Sequence, residues 1–267
     1  MHPDLWPLLL IVAAAHGVQV VIGFGGSILA LTFASLVAPV DTLLPLLVPL
    51  NLGVPLYLAT RYPEEIDREE LRRRIIPYAL IGLTLGFGLY MVIEGSSLTA
   101  VYAIFIILLA SLRLAGAVRE GLRRPSGEVD PALAARTSAS APADTSLSPA
   151  RSPSLLWLVS GGLCHGLFAT GGPLIILYTA VALPDKQRFR CTMAVLWVIL
   201  NSALVTGYGL NGDLTAETLL ATASLAPALI VGVIVGEAVH RRISQRTFKI
   251  LIYALLLIAG GLILSRS

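Results

Sequence analysis

Residues 155–183 read LLWLVSGGLCHGLFATGGPLIILYTAVAL, and this stretch decides the fold because its apolar run is broken at residues 169–173. A helix of roughly 29 residues is about 44 Å long, too short for two full crossings of a bilayer but long enough for two short arms. Basic residues flank the stretch on both sides and place both of its ends in the cytoplasm by the positive-inside rule. We therefore expect a hairpin that enters the membrane, turns at the glycines and returns.

The rest of the chain has the composition of a membrane protein. Of its 267 residues, 56% are hydrophobic and only 13% are charged, so a soluble domain would leave much apolar surface in water. The apolar runs are continuous and lack the alternation of barrel strands, and helices satisfy their own backbone groups in lipid. These features predict an all-α polytopic membrane protein.

The chain divides into two similar halves around a segment rich in Pro, Ser, Ala and Thr. We interpret that segment, residues 117–153, as a flexible cytoplasmic linker. Residues 1–116 are predicted to form the first repeat and residues 154–267 the second, each a broken, re-entrant helical hairpin followed by three transmembrane helices. The predicted hairpins are 5–39 and 154–183, and the predicted spans are about 41–60, 73–93 and 97–116, then about 190–210, 216–238 and 247–264.

Individual residues support a duplication of the chain. Asn51 precedes Pro77 by the same number of residues as Asn201 precedes Pro227. After each proline come glycines at matching positions: Gly82, Gly86, Gly232 and Gly236. Chance is the alternative, since small residues serve close helix packing in membranes. The shared order and spacing favour a duplication.

The distribution of basic residues predicts how the two halves are oriented. All but one of the 19 Lys and Arg residues lie in four segments, which the positive-inside rule assigns to the cytoplasm. Residues 94–97 and 211–217 contain no Lys or Arg and are assigned to the outside. The span containing Asn51 then runs inward and the span containing Asn201 runs outward, so the repeats are predicted to be inverted. Both chain ends are predicted to lie outside.

Two broken hairpins that enter from opposite faces predict a substrate site near the midplane. Glycine pairs permit a tight turn and a close approach of the backbone. Each second arm would direct N–H groups and about half a positive charge toward the centre, which suits a small anion. The candidate binding glycines are Gly25, Gly26, Gly171 and Gly172. The alternative is that these glycines only permit helices to pack closely.

The few polar side chains near the two turns are candidates for the same site. They are Gln19, Ser27, Asn51, His165, Thr170 and Asn201. Amides and hydroxyls can donate to the oxygens of an anion, whereas interhelical hydrogen bonding is the alternative role. His16 and His165 are also candidates for proton coupling, and a neutral structural histidine is the alternative there.

Other classes of function are disfavoured by the sequence. The net charge of +3 comes from residues in short loops and predicts no nucleic-acid surface. Cys164 and Cys191 have neither a disulfide framework nor metal-ligand spacing, and nothing predicts a metal or a cofactor. No motif of an intramembrane enzyme is present, so the chain is not predicted to be an enzyme. A membrane scaffold without transport of its own stays an open alternative.

Both glycine-broken stretches resemble those of the TauE/SafE family of sulfite and organosulfonate exporters. The resemblance rests on residues 17–26 and 162–173, together with Asn201, Pro227 and Gly232 in the later spans. Ser27 and Pro173 stand where the family pattern has a third glycine, and Cys191-Thr192 stands where Gly-Thr-Ser is common.

The resemblance implies export of sulfite or an organosulfonate such as sulfoacetate across the inner membrane. Import, or transport of a carboxylate or sulfate, stays open. The expected partners are the small anion and the lipid bilayer, with a homodimer as a further alternative.

Overall fold

The computed structural model describes residues 5–22, 25–93, 95–123, 154–240 and 245–266, and within them all regular structure is helical. Twelve α-helices are described there: α1 Leu5–Ile22, α2 Gly26–Ala34, α3 Val40–Leu47, α4 Gly53–Arg61, α5 Arg68–Glu70, α6 Ile76–Val92, α7 Gly95–Arg123, α8 Leu156–Phe168, α9 Gly172–Ala182, α10 Lys186–Asn211, α11 Ala216–His240 and α12 Gln245–Leu264. Short 3-10 turns at Pro49–Leu52 and Pro63–Glu65 and a π-helical turn at Leu71–Ile75 connect some of them.

Five of the described helical runs are long and apolar enough to cross a membrane. They are Val40–Arg61, Arg68–Val92, Gly95–Gly116, Gln187–Asn211 and Ala216–Gly236. Large apolar side chains such as Val92 and Leu210 point away from the protein and are 81% and 87% exposed, as expected for a surface that meets lipid. The fold class predicted from the sequence, an all-α polytopic membrane protein, is confirmed.

The span predicted at about 41–60 is not one regular helix. It consists of α3, the 3-10 turn Pro49–Leu52 and α4, with a further proline, Pro45, inside α3. Proline lacks an N–H group and its ring crowds the preceding turn, which explains the irregular backbone. At the other end of the first half, α7 continues to Arg123, so the helix extends into the segment predicted as a linker. Residues 124–153 of that linker lie outside the described residues.

The contacts divide the chain into two compact units that differ from the two sequence halves. Unit 1 consists of Met1–Pro39, Gly95–Ala141 and Ala228–Ser267, and unit 2 of Val40–Glu94 and Pro142–Pro227. Helices α1, α2, α7 and α12 therefore belong to unit 1, whereas α3 to α6 and α8 to α10 belong to unit 2. Each unit combines elements of both halves, a division that hydrophobic periodicity along the chain does not reveal.

In unit 2, helices α6 and α8 pack with their backbones in contact. Glycines on both helices face backbone carbonyl oxygens of the partner helix: Gly82, Gly86, Gly162 and Gly166. A Cβ atom at Gly82 would overlap the carbonyl of Val159, and one at Gly86 would overlap the carbonyl of Leu163. Because these contacts advance in the same direction along both helices, α6 and α8 run parallel.

Unit 1 contains a similar contact between α1 and the second part of α11. A Cβ atom at Gly232 would overlap the carbonyl of Ala13, and one at Gly236 would overlap the carbonyl of Gly17. These two contacts correspond to the two contacts of unit 2. The α1 residues match those of α8 when the glycine pairs of the two hairpins are aligned, and the α11 glycines match those of α6 when Asn51 is aligned with Asn201. This correspondence supports the hypothesis that the halves arose by duplication.

Helices α8 and α9 form a hairpin that begins and ends at the same end of unit 2. At that end, near the starts of α6 and α10, the Asp67 N–H donates a hydrogen bond to Thr192 Oγ1 at 2.9 Å. The opposite end carries the Tyr90 and Tyr208 rings, whose centroids are 5.4 Å apart. Helix α8 runs away from the first end, and α9 returns to it, because Tyr178 of α9 contacts Glu70 of α5.

Candidate functional site

The break between α8 and α9 lies at residues 169–171. Helix α8 ends at Phe168, and Ala169 then adopts the left-handed conformation with φ 53° while its N–H donates to the carbonyl of His165 at 2.7 Å. Helix α9 begins at Gly172, with Pro173 in its first turn. Proline suits that position because its φ angle is helical and its missing N–H would have no helical partner there. The local sequence therefore ends one helix and starts the next within a few residues.

Glycines allow the two arms of this hairpin to lie against each other. A Cβ atom at Gly171 would overlap the carbonyl of Gly161 and lie 2.8 Å from the Cβ of His165. A Cβ atom at Gly161 would in turn lie 2.9 Å from the backbone nitrogen of Ile175. Any side chain at these two positions would push α9 away from α8.

Three buried polar side chains lie around the start of α9, and each is 3% exposed: His165, Thr170 and Asn201. Both ring nitrogens of His165, Oγ1 of Thr170 and Oδ1 of Asn201 have no hydrogen-bond partner among the described residues. A buried polar atom without a partner costs about 1–3 kcal/mol, and most such atoms in native proteins are paired. The concentration of four of them at one helix start marks this place as a candidate ligand site.

Trp197 completes the surroundings of this cluster. Its ring lies 3.7 Å from the position of a Cβ atom on Gly172, and its centroid is 5.4 Å from that of the His165 ring. The Asn201 Nδ2 donates to the backbone carbonyl of Trp197 at 2.9 Å, one turn earlier on α10. Sequence reasoning missed Trp197, although its helical spacing from Asn201 put it on the same face of that helix.

The start of α9 offers fewer backbone donors than the sequence predicted. Pro173 has no N–H, and the N–H groups of Leu174 and Ile175 both donate to the carbonyl of Gly171 at 3.2 Å. The N–H of Gly172 is therefore the backbone donor that the first turn of α9 can offer to a ligand. The partial positive charge of a helix start adds to it, and the remaining donors must come from side chains.

The corresponding predicted residues of the first half lie in unit 1. Helix α1 ends at Ile22, Gly25 adopts the left-handed conformation with φ 90°, and α2 begins at Gly26. The Gln19 side chain lies directly against the Cα of Gly26, so that α2 folds back onto α1. Ser27 is half-buried in the first turn of α2. Residues 23 and 24 of the predicted turn lie outside the described residues.

The two remaining predicted residues differ in their surroundings. His16 is buried on α1, and its Nδ1 lies 2.9 Å from the carbonyl of Val12 on the same helix. Asn51 was predicted in the middle of a span but lies in the 3-10 turn, where its N–H donates to the Val48 carbonyl at 3.0 Å. Unit 2 therefore brings together His165, Thr170, Gly171, Gly172 and Asn201, and unit 1 brings together Gln19, Gly25, Gly26 and Ser27.

A comparison of the chain with protein-family models gives an independent result. The family model described as sulfite exporter TauE/SafE matches residues 8–263, almost the whole chain. The chain belongs to the TauE/SafE family.

Members of this family are membrane transporters rather than enzymes, and the long apolar helices of this protein agree with that class. A search of curated proteins and a search of solved structures found no match. Among the residues that the structure describes, no group of three or more His, Cys, Asp or Glu lies close enough to hold a metal ion.

Proposed function

We propose that this protein exports a small sulfur-containing anion across the inner membrane and holds it at the start of α9. The observation that carries this proposal is the cluster of His165, Thr170 and Asn201, whose buried polar atoms have no protein partner. Membership of the TauE/SafE family supports sulfite or an organosulfonate such as sulfoacetate as the substrate. Oxygen atoms of such an anion would accept hydrogen bonds from the Gly172 N–H and the Thr170 hydroxyl.

The electrostatics of this cluster suit a transporter. The start of a helix carries roughly half a positive charge, which attracts an anion without the strong ion pair that a buried Arg would make. The described neighbours of the cluster on α8, α9 and α10 are uncharged: Gly161, Gly171, Ile175 and Trp197. A carrier must release its substrate on the other side, and moderate affinity serves that step better than tight binding.

The transport mechanism that we propose is alternating access between two inverted repeats. The matched contacts of Gly82 with Val159 and of Gly232 with Ala13 support equivalent halves. The positive-inside rule supports cytoplasmic basic segments and external chain ends. The glycine-broken hairpin of the first half, with Gln19, Gly25, Gly26 and Ser27, is the corresponding element of the other repeat.

The substrate is tested by a thermal-shift titration of the purified protein, since a ligand that binds the native state raises its melting temperature. We expect sulfite and sulfoacetate to raise the melting temperature, and sulfate, taurine and acetate to raise it less. Flux measurements in oriented proteoliposomes then test the direction of transport. If none of these anions changes the melting temperature or is transported, the proposed export function is wrong, and the scaffold alternative is favoured.

The site is tested with a matched pair of threonine variants. Thr170→Val removes a hydroxyl without a protein partner, and we expect it to weaken anion binding roughly tenfold. Thr179→Val is the control, because Thr179 is equally buried on α9 but donates to the carbonyl of Ile175 at 3.1 Å. Equal anion affinity in the two variants would contradict the proposed site.

A further inference from the structure

The amide of Asn201 has an orientation that its surroundings determine. The backbone carbonyl of Trp197 can only accept a hydrogen bond, so the amide atom that lies 2.9 Å from it must be Nδ2. The other amide atom, Oδ1, is buried without a hydrogen-bond partner among the described residues. This oxygen is an acceptor, and it would repel an anion rather than bind it.

The group beside this acceptor is the imidazole of His165. Both side chains lie beside Trp197: the centroid of the His165 ring is 5.4 Å from that of Trp197, and Asn201 lies one turn after Trp197 on α10, although no hydrogen bond joins Asn201 to His165. The other described neighbours of the ring are the Trp197 ring on α10 and the backbone of Gly171 at the start of α9, and neither is charged. Because Oδ1 and both ring nitrogens are buried without a partner, we assign an N–H of His165 as the donor to Oδ1.

We propose that Asn201 is a positioning residue that acts on the anion through His165 rather than by touching it. The inference rests on the proposed function, because it assigns a role within the same site. A hydrogen bond from one ring nitrogen to Oδ1 fixes the rotation of the imidazole. The ring takes up a second proton together with the anion, and its second nitrogen then donates to that anion at the start of α9.

Two substitutions of Asn201 separate this role from a structural one. Asn201→Ser keeps a donor for the Trp197 carbonyl, as Thr179 donates to the carbonyl four residues earlier, but its shorter side chain holds its oxygen against its own helix and leaves no acceptor beside His165. Asn201→Leu removes both. We expect both variants to weaken anion binding roughly tenfold, and only Asn201→Leu to lower the melting temperature of the anion-free protein clearly.

A double-mutant cycle with His165→Gln provides the decisive measurement, with sulfite as the probe in isothermal titration. If Asn201 acts through His165, Asn201→Ser weakens binding roughly tenfold in the wild type and less than twofold in the His165→Gln background. An equal loss in both backgrounds would show that Asn201 contacts the anion directly, and the inference would be wrong. If neither His165→Gln nor Thr170→Val changes anion affinity, the proposed site itself fails, which is a distinguishable result.

A spectroscopic measurement keeps the inference testable if His165→Gln does not fold. In a chain whose other histidines are replaced by glutamine, the ring nitrogens of His165 give a single set of 15N resonances. Asn201→Ser should shift these resonances, because the hydrogen bond to Oδ1 determines which nitrogen carries the proton. Unchanged resonances would overturn the inference.

Discussion

Tyr178 of α9 donates a 2.5 Å hydrogen bond to the carboxylate of Glu70, which lies just before the π-helical turn that leads into α6. The Tyr178 side chain is almost fully buried, and Arg74 lies 3.5 Å from the other carboxylate oxygen of Glu70. This contact ties the returning arm of the hairpin to the segment that begins the neighbouring span. The position of α9, and with it the candidate site at its start, therefore depends on a residue far away in sequence.

Tyr178→Phe should destabilise the protein by about 1.5–3 kcal/mol, since it removes a hydrogen bond to a charged acceptor that is largely buried. The melting temperature of the purified protein in detergent measures this change. Glu69→Gln is the matched control, because Glu69 pairs with Arg73 at 72% exposure and an exposed pair contributes about 0–1 kcal/mol. Equal losses in the two variants would contradict the role assigned to Tyr178.

Gly86→Ala should destabilise unit 2 by about 1–3 kcal/mol, because the new Cβ would overlap the backbone carbonyl of Leu163 and separate α6 from α8. Gly88→Ala, on the same helix, adds a methyl group where nothing lies within 4 Å and should be neutral or stabilising by up to about 1 kcal/mol. Thermal unfolding of both variants checks the opposite signs. Similar shifts would show that helix propensity, not the close contact, controls this helix.

Gly232→Ala tests the corresponding contact in unit 1. The new Cβ would overlap the carbonyl of Ala13, so the melting temperature should fall about as far as in Gly86→Ala. Gly261→Ala is the control on α12, where nothing lies within 4 Å of the added methyl group. If Gly232→Ala were harmless while Gly86→Ala was not, the equivalence of the two contacts would be lost.

Gly25 and Gly26 should respond differently to alanine. Gly25 has φ 90° and free space around it, so Gly25→Ala should cost about 1–2 kcal/mol through backbone strain alone. Gly26→Ala would instead place its methyl group in the Gln19 side chain. Its cost should therefore decrease when Gln19→Ala is added, whereas the cost of Gly25→Ala should not. Melting temperatures of the three single variants and the two double variants give both comparisons.

Several features of the fold could be predicted because they depend on local sequence. Long apolar runs must form helices in lipid, where every backbone group needs a partner within its own segment. The glycine pairs mark the breaks, since α2 begins at Gly26 and α9 begins at Gly172. Gly82 and Gly232, which were singled out because they match between the two halves, both lie at close contacts between helices.

The candidate site could be predicted only in part. His165, Thr170 and Asn201 were singled out because polar residues are costly in apolar segments. The contact of Trp197 with Gly172 was missed, because one helix does not show which of its faces meets another. Asn51 was expected to lie like Asn201, but the prolines before it replace the regular helix by a 3-10 turn.

The sequence by itself determined which segments are helical and apolar and where the hairpins break, because those properties follow from the chemistry of neighbouring residues. Only the tertiary structure decided that α8 packs on α6, that Tyr178 reaches Glu70, and that elements of both halves combine in each compact unit. Such contacts join residues far apart in the chain. Their selection depends on close packing and on the pairing of buried polar groups, and neither leaves a periodic pattern in the sequence.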